Sequence, residues 1–218
     1  MTHVAYLDIT SAAAARLEAR HARAEDRGFA LGSRNERGQR QRLMVRALLR
    51  AELAQHYPAP EAAWRILRDD RGAPLLADQG GTTLPFISLS HSGDLVACAI
   101  STDGPIGVDI ERIRADRPVA ALAEAAFGPG EAAAVARAGS AEFYRIWTLR
   151  EALAKATGAG FGLLVNRVDL VPPGAGGSGL GHCIDGREWR FRYWQLDGQY
   201  GLGLVTTAVG TPIVTEWR

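Results

Sequence analysis

The chain has 218 residues, 47% of them hydrophobic, which is enough for one large core or two small ones. A formal net charge of +1 gives no global field directed at nucleic acid or a membrane surface, and no run approaches the roughly 18 apolar residues of a membrane span. Two cysteines, Cys98 and Cys183, with no C-x-x-C spacing, make no disulfide framework and read as reduced thiols of a cytoplasmic protein.

In chain order, residues 3–9 read as a strand, with no basic segment and apolar run of a secretory leader before it. Residues 11–27 and 34–56 read as Ala- and Arg-rich helices, separated by Gly28, Gly32 and a polar run. A short helix is expected to begin at residues 58–64, and residues 66–67, 86–90 and 95–101 read as strands. The turn Asp103-Gly104-Pro105 leads into a strand at 106–111. Residues 119–138 give one or two short helices broken at Gly128-Pro129-Gly130. A helix at 141–158 follows, with Ser140 as N-cap and Gly158 as its stop. Strands are expected at 165–171, 189–195 and 200–209, and the Gly-rich run 172–181 reads as a linker, since no G-K-[ST] follows it. Trp189, Phe191, Tyr193 and Trp194 read as the core and edge of a strand rather than a base-stacking platform. The segments GDLVACAISTDG at 93–104 and GQYGLGLVTTAVG at 198–210 form a faint repeat, each a polar turn, an apolar strand and a closing glycine. Charge is uneven: residues 1–50 carry ten Arg against five acids, and residues 102–131 three Arg against six. A phosphate pocket facing a metal pocket would look like this, and so would solvated Arg-rich helices.

Lys155 is the only lysine among 25 Lys and Arg residues. Arginine keeps its charge at any working pH, whereas an ammonium can release a proton in suitable surroundings. One surviving lysine is therefore a candidate for a role arginine cannot fill, or a chance survivor of a composition bias. On the 141–158 helix Trp147, Glu151 and Lys155 fall at i, i+4 and i+8, roughly on one side, with Arg150 beside Glu151. A Glu four residues before a Lys is also the commonest solvated helix pair, but the apolar character of this helix favours a lined cleft. In the 106–111 strand, alternation places Asp109 and Glu111 on one face. Two such carboxylates repel unless a cation lies between them, and an oxygen-only donor set suits Mg²⁺. A polar edge-strand face in water would read the same way, so the pair gains meaning only if Glu151 comes near it. In SLSHSG at 88–93, Ser90 and His91 offer a hydroxyl, an imidazole and turn N–H groups to a phosphate. A nucleophilic Ser-His pair is rejected, because adjacent strand residues point to opposite faces and no G-x-S-x-G elbow is present.

These segments resemble a known family. WTLREALAK at 147–155 is similar to the W-[ST]-x-K-E-[AS]-x-x-K motif of the 4′-phosphopantetheinyl transferase superfamily, GVDIE at 107–111 to its G-[IV]-D-[IV]-E motif, and SLSHSG to its S-H-S segment. QRLMVRALLR at 41–50 resembles the family's arginine-bearing helix, and RDDRGAPLL at 68–76 its basic-x-x-basic-Gly-Lys-Pro loop. The length resembles the larger class, first known from activators of surfactin synthetase. That class implies an α+β fold of two similar α/β halves, each with helices on a small antiparallel sheet. The halves, here 1–104 and 105–218, would form an intramolecular pseudo-dimer with the site between them, sufficient as a monomer.

The resemblance implies transfer of the phosphopantetheine arm of coenzyme A to a serine of an apo acyl or peptidyl carrier protein, with release of 3′,5′-ADP. It further implies Mg²⁺, or Mn²⁺, at Asp109, Glu111 and Glu151. Glu151 would take the serine proton, directly or through water, and Lys155 would protonate the leaving phosphate or stabilise its charge. Arg42, Arg68, Arg71, Ser90 and His91 would meet the nucleotide end of coenzyme A, and Arg150 a phosphate. Two departures stand out: the family commonly has Lys at the positions of Arg150 and Ala73. Ala73 cannot bind phosphate, so a contact is lost there unless Arg71 covers it. An apolar carrier-docking patch is expected at 119–127. The remaining readings are a catalytically idle relative that binds carrier or nucleotide, and a Mg²⁺-dependent nucleotide hydrolase using the same carboxylates.

Overall fold

The computed structural model describes residues 1–57, 64–77, 84–160, 168–170, 180–184 and 186–218, with backbone alone for 180–183. The expected helix start at 58–64, most of the strand at 165–171 and nearly all of the Gly-rich run 172–181 therefore lie outside the described residues, and residues 168–170 are not in a strand. Helices and small sheets are mixed along the chain, which divides into two compact units. The first comprises Met1–Asp103 with Val209–Arg218, the second Gly104–Ala208.

The first unit opens with β1 (Thr2–Asp8), α1 (Ala12–His21), α2 (Ala24–Ala30) and α3 (Glu36–His56). β2 (Ile66–Arg68) pairs with β3 (Pro74–Leu76), and β4 (Phe86–Ser92) forms a hairpin with β5 (Leu95–Ser101). Side-chain caps start two of the helices: Ser11 Oγ accepts from Ala14 N at 3.1 Å, and Asn35 Oδ1 from Gly38 N at 2.7 Å. The single helix expected over 11–27 is instead α1 and α2, with Arg23 extended between them. No glycine or proline marks that break. Its cause is Asp26, whose carboxylate accepts from Arg23 N at 3.1 Å and from two arginines of α3, Arg46 Nε at 2.6 Å and Arg50 Nε at 2.7 Å. Burial opposes ionisation of Asp26, but the hydrogen bonds from Arg50 and Arg46 outweigh it and hold its pKa below the ordinary carboxylate value. Part of the arginine excess of this region is thus internal structure, Arg50 being fully buried.

The four-stranded sheet of this unit runs β10-β1-β5-β4, where β10 is Ile213–Trp217. β10 lies parallel to β1, and the other pairs are antiparallel. The sequence reading assigned no strand there and grouped this tail with the second half, whereas the strand completes the first unit's sheet. The odd-numbered row Ala5, Leu7 and Ile9 joins Val96, Cys98 and Ile100 in a core with Met44, Leu48 and Leu53 of α3. Cys98 is a buried free thiol.

In the second unit β6 (Ile106–Arg112) is followed by α4 (Val119–Ala126), α5 (Pro129–Ala138) and α6 (Ser140–Thr157). β7 (Leu180–Ile184), β8 (Arg187–Leu196) and β9 (Tyr200–Thr206) complete an antiparallel sheet of order β6-β9-β8-β7. Gly139, not Ser140, is the N-cap of α6, and Gly158 ends the helix in the left-handed region at φ 67°. Trp189 and Phe191 are buried in the core with Leu149, Leu153 and Val205, as the strand reading of the aromatic cluster requires.

Two glycines let α6 lie almost on the strands. A Cβ on Gly107 would sit 1.9 Å from Ala152 O, and one on Gly203 would sit 2.9 Å from Thr148 O. Thr148 and Ala152 are one helical turn apart, so the backbone of α6 runs directly over β9 and β6. Gly107→Ala therefore forces α6 away from the sheet. The expected cost is at least about 3 kcal/mol, because the clash is with backbone and no rotamer relieves it, and urea unfolding measures it.

Candidate functional site

The close approach of α6 positions the chemistry of the second unit. Gly107, Asp109 and Glu111 share the β6 face that meets the helix, and Asp109 pairs in register with Gly203. Lys155, on the last turn of α6, reaches across to β6 rather than only along its own helix. Its Nζ donates to Asp109 Oδ1 at 2.8 Å and to Val108 O at 3.0 Å. Asp109 is 5% exposed, while the Lys155 side chain keeps 31% of its exposure, so one end of the pair is buried and the other reaches solvent.

Glu151 joins them from one turn earlier on α6. Its pKa is raised, first by burial and then by the negative charges of Asp109 and Glu111, against the Lys155 ammonium, which lowers it. The charges of Asp109, Lys155 and Glu111 all act on Glu151, and Lys155 pairs with Asp109. The oxygens are not drawn tightly together. Among the described residues, the one trio of His, Cys, Asp or Glu donors within 4.8 Å of one another is His3, Glu52 and His56, in the other unit. Mg²⁺ keeps several waters and takes one or two carboxylates plus phosphate, so it does not require all three of these carboxylates in one tight cluster. Asp109 Oδ2 is buried, and no hydrogen bond reaches it among the described residues. The donor set therefore fits a hard divalent cation.

Arg150 stands elsewhere than the sequence reading placed it. It is 1% exposed, and its Nε donates to Glu131 Oε2 at 2.8 Å and its Nη2 to Val168 O at 2.9 Å. Glu131 Oε1 in turn accepts from Leu170 N at 2.9 Å. Successive helical residues leave the axis about 100° apart, so Arg150 enters the core behind α6 while Glu151 turns toward β6. The guanidinium braces α5, α6 and the 168–170 segment and does not present itself to a phosphate. Glu131 was not singled out from the sequence, and nothing in its Ala-rich surroundings signals it. Arg150→Ala leaves Glu131 buried without its cation, and we expect a loss of about 3–5 kcal/mol in urea unfolding.

In the first unit, the basic residues gather around Phe29. The guanidinium carbons of Arg68, Arg46 and Arg42 lie 4.6, 4.7 and 5.5 Å from its ring centroid. Arg46 is committed to Asp26, whereas no carboxylate pairs with Arg42 or Arg68 among the described residues. Burial, then the charges of Arg42 and Arg46, lower the pKa of Arg68. Cations held together in this way favour a polyanion. Arg71 is exposed in the β2–β3 turn, where Asp69 Oδ1 accepts from the backbone N–H groups of Arg71 and Ala73. Ala73 takes part in this turn through its backbone and brings no cation to it. Ser90 and His91 lie on β4, the first 6% exposed and the second exposed. Phe29 and Arg46 were missed from the sequence, because their roles depend on packing between α2 and α3.

Comparison with known proteins agrees with the motifs. The family model of the 4′-phosphopantetheinyl transferase superfamily matches residues 105–205, the stretch that carries Asp109, Glu111, Glu151 and Lys155. This stretch is similar to the 4′-phosphopantetheinyl transferase superfamily. The chain is 38% identical over 122 residues to the 4′-phosphopantetheinyl transferase AcpT of Salmonella typhi, covering 54% of this chain and 59% of that protein. It is 31% identical over 123 residues to the 4′-phosphopantetheinyl transferase HetI of Nostoc sp., covering 55% of this chain and 52% of that protein. A phosphopantetheinyl transferase of Thraustochytrium sp. is 28% identical over 175 residues, 72% of this chain and 60% of its own length. The chain thus spans between half and three fifths of the length of these relatives. No helix among the described residues is long and apolar enough to cross a membrane.

Proposed function

We propose that this protein transfers the 4′-phosphopantetheine group of coenzyme A to a serine of an apo acyl or peptidyl carrier protein and releases 3′,5′-ADP. The observation that supports the reading is the Lys155–Asp109 pair on the glycine-cradled face of β6, with Glu151 of the same helix under the charges of Asp109 and Glu111. Glu151 takes the proton of the carrier serine, directly or through one water. The serine oxygen bonds to the phosphorus that bears pantetheine, the anhydride bond to the departing ADP phosphate breaks, and Lys155 protonates that phosphate or neutralises it. Positioning and charge neutralisation dominate such transfers, and a carboxylate base adds about 10²–10⁴-fold. Mg²⁺ or Mn²⁺ held by Asp109, Glu111 and Glu151 would supply Lewis-acid neutralisation of the pyrophosphate. Arg42, Arg68 and Arg71, with Ser90 and His91, are proposed to hold the nucleotide end; Arg150 has no part in it.

We further propose that the chain is of the larger class with two similar halves, acting as a cytoplasmic monomer. Internal correspondence supports this. In each unit a first strand (β1 or β6) precedes a long helix (α3 or α6), and the second strand of a hairpin (β5 or β9) then pairs antiparallel with that first strand. The two halves of the faint sequence repeat fall on β5 and β9.

The test is release of 3′,5′-ADP from coenzyme A with chelator-treated protein, apo carrier and defined metal. We expect release only when carrier and Mg²⁺ or Mn²⁺ are both present, loss on chelation, and recovery on readdition. Equal release without carrier would support the nucleotide hydrolase and overturn the transferase reading.

A further inference from the structure

In the first unit, the core-facing row of β1 begins with a histidine. His3, Ala5, Leu7 and Ile9 alternate onto the side covered by α3, and His3 is only 5% exposed. Above it, α3 places Glu52 and His56 one turn apart on the same face, Glu52 being 2% exposed. The rings of His3 and His56 stack with centroids 3.9 Å apart, and His56 Nε2 lies 3.5 Å from Glu52 Oε2. Trp217 of β10 donates its indole N–H to Glu52 Oε1 at 2.6 Å, which fixes the carboxylate and leaves Oε2 toward the imidazoles. One donor atom from each of His3, Glu52 and His56 lies within 4.8 Å of the other two.

A buried carboxylate normally has a lysine or arginine beside it, because an ionised group taken out of water is costly unless compensated. Here its described partners are an indole and an imidazole. Two imidazole nitrogens and one carboxylate oxygen form the donor set of a Zn²⁺ site with three protein ligands and one open position, and bonds of about 2.0–2.2 Å put such donors about 3.4 Å apart. His56, whose side chain is 25% exposed, has room to turn its ring out of the stack onto the ion and to admit water at the fourth position. The indole hydrogen bond to the carboxylate is the outer support that orients metal ligands.

We propose that His3, Glu52 and His56 bind a borderline divalent cation, with Zn²⁺ as the best match, and that the ion clasps β1, α3 and β10 at one end of the first unit. This is independent of the transfer site, whose donors are all oxygen and lie in the second unit.

The test titrates chelator-stripped protein with Zn²⁺ against a chromophoric chelator, in excess Mg²⁺ to keep the oxygen site occupied. One equivalent should bind. His3→Gln and Glu52→Gln should each weaken it by at least about 100-fold and Trp217→Phe by about 10-fold, while Asp109→Asn should leave it unchanged. Substituting Co²⁺ into the wild-type protein gives a second readout that needs no variant: the visible absorption of a four-coordinate site with imidazole ligands. Absence of a stoichiometric Zn²⁺, binding unaltered in Glu52→Gln, binding lost in Asp109→Asn, or a six-coordinate Co²⁺ spectrum would each overturn the proposal.

Discussion

Glu151→Gln lowers kcat by about 10²–10⁴-fold at saturating coenzyme A, carrier and Mg²⁺. Glutamine keeps the size of the side chain and its place on α6 but cannot accept the serine proton. It also removes one of the three negative charges gathered at the β6–α6 face. Affinity for the metal therefore falls as well, which is why the comparison is made at saturating Mg²⁺. Steady-state transfer with kcat and the metal requirement measured separately distinguishes the two effects. A variant that regains full turnover once Mg²⁺ is raised would leave Glu151 as a metal ligand only.

Lys155→Arg gives the second large effect, a fall in turnover of about 100-fold with little change in coenzyme A binding. Lys155 Nζ is a compact donor seated between Val108 O and Asp109 Oδ1. A guanidinium keeps the charge but reaches further, and its planar fork engages both oxygens of a carboxylate, so it competes for Asp109 Oδ2. It also holds its proton at every working pH. An arginine variant with the wild-type rate across the pH range would exclude proton donation by Lys155.

The residues that the sequence made legible are those whose geometry depends on local backbone repeat. Asp109 and Glu111 share a face because strands alternate, and Glu151 and Lys155 share one because helices repeat every 3.6 residues. Only the meeting of the two elements required the fold, and its cause was in the sequence unremarked: Gly107 inside the GVDIE motif lets α6 descend onto β6. The misplaced residues were those decided by distant partners. Arg150 stands beside Glu151 in the chain and was grouped with it, yet it serves Glu131, nineteen residues away, in the core. The helix break before α2 has no breaker residue because it is set by Asp26 and two arginines of α3. The His3, Glu52 and His56 cluster spans the first strand and the end of α3, a separation no local pattern reports.

The central claim is that these β6 and α6 side chains move a phosphopantetheine group onto a carrier. The most direct measurement is the intact mass of an apo carrier protein after incubation with coenzyme A, Mg²⁺ and this protein. The expected result is a gain equal to one phosphopantetheine group, on the serine alone, lost with Glu151→Gln and with chelation. A panel of fatty-acid, polyketide, nonribosomal-peptide and siderophore carriers that all keep their apo mass, with wild-type protein shown to be folded and to bind coenzyme A, would contradict it.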